Sequence, residues 1–165
     1  PFGVNLITMH PQLFDLIDVC ARHEVGHVVL AGGLFHVETD PVTRKENETF
    51  APKVFADAGL TFAISPQEGQ LGPDQLGYQA AVCVSEGLSR DQALRLVTTG
   101  PAACWGLSDR LGKLASGCDG TFVVLDGDPL SATTKVLEVW SRGERVYERA
   151  NDERLQRLME GESRG

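Results

Sequence analysis

The sequence predicts an α/β fold of parallel βαβ units, followed by a smaller unit built from β-strands. Short apolar, β-favouring runs alternate with amphipathic stretches as far as Leu107. Each run is continuously apolar, as expected of strands covered on both faces. Beyond Leu107 the chain changes to strands punctuated by Gly112, Gly117, Gly120 and Gly127.

The elements follow in order. Val4–Met9 reads as a strand. Pro11 fits the first turn of a helix, and Leu13, Phe14, Ile17, Val19 and Cys20 give that helix its apolar stripe. His27–Ala31 is a second strand, closed by Gly32 and Gly33. Leu34–Asn47 is polar and predicts a long irregular loop. Thr49–Ala58 predicts a helix with Pro52 near its start and Gly59 as its stop. Leu60–Ile64 is the third strand, expected to lie parallel to the first two as a neighbour. A Gly- and Pro-rich loop, Ser65–Gln75, leads to a helix over Leu76–Glu86 that Gly87 ends.

Ser89 and Gln92 have the spacing of a reciprocal capping box, and Ala93, Leu94, Leu96 and Val97 form the apolar face of the helix it opens. Thr98-Thr99-Gly100-Pro101 stops that helix and starts a short second one. Thr121–Leu125, Lys135–Ser141 and Arg145–Tyr147 are strands, the last two joined in a hairpin by Arg142-Gly143. Residues 151–165 are charged and predict one or two amphipathic turns that fray, through Leu155, Leu158 and Met159.

The chain has 165 residues, 42% of them hydrophobic and 23% charged, the balance of a globular protein. A net charge of −8 and a pI near 4.9 argue against nucleic acid or an anionic membrane surface as partner. Arg142, Arg145 and Arg149 are interleaved with Glu144 and Glu148, which describes a solvated face. No apolar run approaches the ~20 residues of a membrane span. Cys20, Cys83, Cys104 and Cys118 lie far apart with no C-x-x-C pair, so buried free thiols are expected. Trp105 and Trp140 read as core or interdomain packing. The chain opens on Pro1 and enters a strand almost at once, which reads as a piece lacking its N-terminal part. The absence of a leader therefore says nothing about secretion, and a cytoplasmic location is a default only.

His23-Glu24-Val25-Gly26-His27 matches H-E-x-x-H, in which two histidines one helical turn apart bind zinc and the glutamate acts as base. The motif needs a continuous helix. Here Gly26 follows the last helical position and His27 opens an apolar strand, so the two imidazoles are not expected to share a helix face or to bind zinc jointly. The zinc-protease reading is accordingly the most remote of the alternatives.

The segment Gly87–Tyr147 carries three linked patterns. Ala93-Leu94, Thr98 and Pro101-Ala102 form one. Leu107, Asp109-Arg110-Leu111-Gly112, Leu114, Gly117 and Asp119 form the second, and Asp126-Gly127-Asp128-Pro129-Leu130 the third. This order resembles the C-terminal end of the amidohydrolase superfamily, especially its imidazolonepropionase-like branch. It covers about sixty residues densely, and the remainder loosely. The resemblance implies the last βα units of a TIM-type (β/α)8 barrel over residues 1–106, and strands of a small β-sandwich domain over 107–150. Residues 151–165 then form a charged tail. Such a barrel needs eight strands, commonly about 250 residues, so the N-terminal half of the same protein is an expected partner.

The resemblance further implies hydrolysis of a C–N bond other than a linear peptide bond, of cyclic amide or imide type, by metal-activated water. Histidines at strand ends hold one or two divalent ions, zinc foremost, and an aspartate after the last strand takes the proton of the water. In a β/α barrel that chemistry sits at the C-terminal edge of the strands. His10, directly after the first strand, stands in a metal-ligand position. His36 and Ser65 are expected to face a small-molecule substrate. Ser65-Pro66-Gln67-Glu68 replaces the segment that carries the aspartate in active relatives, so Glu68 is the expected catalytic base, with Asp74 farther away. Gly100 and Thr121 stand where the family usually has Asn and Asp, and are expected to concern packing and turns. The rival reading is a degenerate, metal-free barrel that binds a small ligand. A homo-oligomer is compatible with both.

Overall fold

The computed structural model describes residues 3–7, 10–31, 33–65 and 76–162. Three parallel strands, β1 (Gly3–Ile7), β2 (His27–Ala31) and β5 (Phe62–Ile64), form one sheet in the order β1-β2-β5. Their register aligns Leu6 with Leu30 and Leu30 with Ile64. Side chains alternate across a strand, so Leu6, Val28, Leu30, Phe62 and Ile64 share one face. All five are buried against the helices. The expected parallel neighbours are therefore observed, with β5 starting two residues later than the apolar run suggests.

Helix α1 (Leu13–Arg22) lays Leu13, Ile17 and Cys20 onto that face, the i, i+4, i+7 spacing of an amphipathic helix. It joins α2 (Ala51–Asp57), α3 (Leu76–Ser85) and α4 (Arg90–Val97) around one core. Leu13, Val28 and Phe55 are fully enclosed there. Burial of each contributes on the order of 1.5–3 kcal/mol. The capping box of α4 is complete: Gln92 N–H donates to Ser89 Oγ at 3.2 Å, and Ser89 N–H to Gln92 Oε1 at 2.8 Å. The short α5 (Thr99–Cys104) follows, as Thr98–Pro101 requires.

Two expectations between β2 and β5 are corrected. The stretch taken as an irregular loop is an antiparallel hairpin, β3 (Phe35–Thr39) with β4 (Glu46–Phe50), and the helix begins at Ala51, not Thr49. Its turn is nucleated by Asp40, whose Oδ1 accepts from Val42 N–H at 2.8 Å and Thr43 N–H at 2.7 Å. Phe35 and Phe50 pair at the base, with ring centroids 5.4 Å apart. The strands escape a periodicity reading because only His36 among the β3 residues turns inward.

Strands β6 (Phe122–Leu125), β7 (Val136–Ser141) and β8 (Glu144–Glu148) form an antiparallel sheet in sequence order. Arg142 and Gly143, with φ of 53° and 81°, make the tight turn between β7 and β8. Trp140 stacks on Phe122 at 5.7 Å, the packing role expected of it. Trp105 is a correction: it is 78% exposed, because α5 ends at Cys104 and the chain turns away from the core. The C-terminal segment is also more ordered than its charge suggests. Asp152 caps α6 (Glu153–Glu162) by accepting from Arg154 and Leu155 N–H, and Tyr147 Oη donates to its second oxygen.

Candidate functional site at the C-terminal strand edge

Parallel strands end at one edge, and that edge gathers much of the chemistry read from the sequence. His10 follows β1, the β3–β4 hairpin follows β2, and Ser65 follows β5, with its N–H donating to Leu30 O at 3.2 Å. A groove of about 440 Å³ opens there, lined by Pro11, His36, Glu38, Asp40 and Asn47 among others. Glu68 and Asp74 lie outside the described residues.

His36 is 2% exposed and is held on two sides. The Phe14 ring meets it edge-on at 4.9 Å, and Glu38 Oε1 lies 3.4 Å from its Nε2. The carboxylate favours the tautomer that carries the proton on Nε2. Glu38 itself is 56% exposed, so the pair joins a buried donor to a solvated acid at the groove. Asp40 is held ionised: the backbone N–H groups of Thr43 and Val42 stabilise its carboxylate and push its pKa down.

His10 is exposed and caps the start of α1. Its Nδ1 accepts from Gln12 N–H at 3.1 Å, and its carbonyl accepts from Leu13 N–H at 3.0 Å. A neutral imidazole that accepts at Nδ1 carries its proton on Nε2, so neither nitrogen offers a lone pair to a metal in this geometry. Among the described residues no group of three or more His, Cys, Asp or Glu side chains could hold an ion. The described side chains thus do not fit a metal centre on their own.

The H-E-x-x-H match resolves as a junction. Helix α1 ends at Arg22, Glu24 takes a left-handed φ of 48°, and His27 opens β2. The two histidines therefore occupy no common helix face. The groove residues Glu38, Asp40 and Asn47 were missed by sequence reading, because a hairpin was not foreseen. The turn-forming Asp40-Pro41 between β-tolerant runs was the available signal.

The Gly87–Tyr147 patterns also acquire geometry. A Cβ on Gly100 would stand 2.6 Å from Phe62 O and 2.7 Å from Arg95 O, which explains why no side chain occupies that position. Thr121 Oγ1 accepts from Arg142 N–H at 3.1 Å and holds the β7–β8 turn. The model of the amidohydrolase family matches residues 75–147. Amidohydrolase tasK of Hapsidospora irregularis is 37% identical over 93 residues, 56% of this chain and 10% of that protein. These matches support the amidohydrolase superfamily for this chain.

Solved structures extend the likeness to the rest of the chain. An amidohydrolase from Thermotoga maritima MSB8 superposes with a TM-score of 0.69 at 21% identity, over 89% of this chain and 37% of that one. An adenosine deaminase from Xanthomonas campestris with bound zinc gives 0.64 at 20% identity, over 95% and 40%. Identities of this size carry the fold alone, that of part of an amidohydrolase (β/α)8 barrel. The chain spans a tenth of the tasK protein and about two fifths of these structures. No helix among the described residues is long and apolar enough to cross a membrane.

Proposed function

We propose that this chain supplies part of the active edge of a hydrolase that breaks a C–N bond other than a linear peptide bond, in a small cyclic amide or imide. Residues 1–106 are assigned to the barrel, 107–150 to strands of a β-sandwich domain, and 151–165 to a tail. The observation that carries the reading is the groove at the C-terminal strand edge in a chain whose matches support this superfamily.

In the proposed reaction, water adds to the carbonyl carbon and the C–N bond then breaks, with the proton passing to the leaving nitrogen. His36, with its Nε2–H beside Glu38, orients a polar group of the substrate, and Ser65 contributes a hydroxyl from the end of β5. Glu68 is assigned as the base because it is the nearest carboxylate after β5 in the sequence. A divalent ion, zinc foremost, would lower the pKa of the water when bound. Its ligands would come from outside the described residues, or His10 would release the Gln12 N–H and offer the freed Nδ1 lone pair.

The rival, a metal-free barrel that binds a small ligand, is favoured by one feature: Ser65 follows β5 directly where a carboxylate would serve catalysis. The test uses the full-length protein. Bound divalent metal is measured by mass spectrometry for the wild type and His10→Ala, and hydrolysis of cyclic amides and imides for the wild type and Glu68→Gln. The hydrolase reading expects bound metal, less of it in His10→Ala, and loss of activity in a folded Glu68→Gln protein. Activity that survives Glu68→Gln removes that residue from the mechanism. A full-length protein that binds no divalent ion and hydrolyses none of these compounds gives way to the ligand-binding reading.

A further inference from the structure

A second cavity, of about 470 Å³, lies at the opposite end of β5 from the groove. It opens where α2 ends at Gly59 and the chain enters β5, and it runs under α4 and α5 to the segment leading into β6. Leu60, Leu96 and Leu111 give it an apolar wall, and Thr61, Gln92 and Ser108 add neutral polar side chains. Arg95 and Lys113 stand at its mouth, and Thr99 adds a hydroxyl. Among the described residues no Asp or Glu lines it. That is unusual for a chain with 23 acidic and 15 basic residues, where a surface cavity is expected to meet carboxylates first. Arg95 forms an ion pair with Asp91 along α4, Nη2 to Oδ2 3.7 Å, longer than a hydrogen bond and with both side chains largely exposed, so a ligand carboxylate competes with a solvated partner.

We infer that this cavity is a binding site for a carboxylate on a compact apolar body, its anionic head between Arg95 and Lys113 and its body against Leu60, Leu96 and Leu111. The volume is that of a small-molecule pocket, and a few polar groups at one end of an apolar cavity fix the orientation of such a ligand. Low-dielectric walls focus the field of the two cations onto the head group. The site is separate from the proposed catalytic edge, since it lies at the N-terminal end of a strand whose C-terminal end faces the groove. A ligand there would join α4, α5 and the segment before β6, and would stabilise the folded chain by mass action.

The test is calorimetric titration of the full-length protein with octanoate, octanol and octylammonium. Octanoate is expected to bind saturably, at least about tenfold more tightly than octanol, with an affinity that falls as salt is raised. Octylammonium is expected to bind more weakly than octanol. The pair Arg95→Glu and Lys113→Glu changes exposed residues, and should weaken octanoate by at least about tenfold while leaving octanol unchanged. Leu111→Trp, which fills the cavity, should weaken both. Equal binding of octanoate and octanol would overturn the proposal, as would octanoate binding that ignores the charge reversals. β5 has one neighbour, β2, among the described strands, and the full-length protein also tests whether a further strand occupies the cavity. If one does, no octanoate binding is observed, and that outcome also overturns it.

Discussion

Arg90 Nη2 donates to Asp128 Oδ1 at 2.6 Å, a contact that joins the first residue of α4 to the segment between β6 and β7 across 38 positions of sequence. Asp128 Oδ1 also accepts from Leu130 N–H at 2.9 Å, and Leu130 packs against the helical core. The pair thereby anchors the β6–β7 segment to α4 at a surface where both side chains remain about half exposed.

This arrangement predicts a pH-dependent contribution. The hydrogen bond from Arg90, then that from Leu130 N–H, hold the Asp128 carboxyl below its usual range. A carboxyl whose pKa is depressed on folding stabilises the fold above its unfolded value, and that contribution is lost as pH falls through the folded value. Asp128→Asn should therefore lower the urea midpoint slightly at pH 7, as befits an exposed pair. The difference from wild type should start to narrow as the pH falls below the ordinary carboxylate value of 3.8, and close only below the depressed folded value. A gap that persists unchanged into acid would assign the loss to the turn and not to the charge.

Gly100 predicts a steric effect of opposite sign to another glycine in the chain. Both of its close neighbours, Phe62 O and Arg95 O, are backbone atoms, so neither can rotate away. Gly100→Ala should destabilise by about 1–3 kcal/mol, the range for overpacking. Gly161, inside α6, has no atom within 4 Å of a built Cβ, and Gly161→Ala should stabilise by about 0.5–1 kcal/mol through helix propensity. Denaturant titration of the two variants checks both signs.

Thiol reactivity should separate the four free cysteines. Burial pushes the Cys83 thiol up to about 12, and burial also raises Cys20 and Cys104. The thiolate is the reactive species, so these groups stay protonated and shielded at pH 8. Cys118, half-buried in a surface turn with Sγ 3.4 Å from Asp109 O, should react first with a disulfide reagent. Cys118→Ser should remove the fast phase, and Cys83→Ser should leave it unchanged. A fast phase lost in Cys83→Ser instead would contradict the burial of that side chain.

The legible parts of the fold were those with local causes. Ser89 and Gln92 announced their capping box because both bonds close within four residues. Leu13, Ile17 and Cys20 showed their helical face by spacing alone. The continuous runs HVVLA and LTFAI showed strands buried on both sides, and a junction at Gly26 was readable from the change of period. The β3–β4 hairpin was not legible. Its strands pair residues as far apart as Phe35 and Phe50, and most of its side chains face solvent, so no apolar period marks them. Trp105 failed for the same reason in reverse: an aromatic residue suggests burial, but what its surface meets depends on where the chain goes after Cys104.

The candidate site divides along the same line. By itself the sequence determined the superfamily signature in Gly87–Tyr147, the parallel α/β order and the positions of His10 and Ser65 just after strands, because periodicity, turn chemistry and short motifs act over a few residues. Only the tertiary structure decided that His36 is enclosed by Phe14 and Glu38, and that His10 spends its Nδ1 on the Gln12 N–H. It also decided that Arg95 and Lys113 share one cavity mouth. The physical reason is that burial, tautomer and charge proximity are properties of atoms brought together by chain folding, and they leave no period in the sequence for a residue pattern to detect.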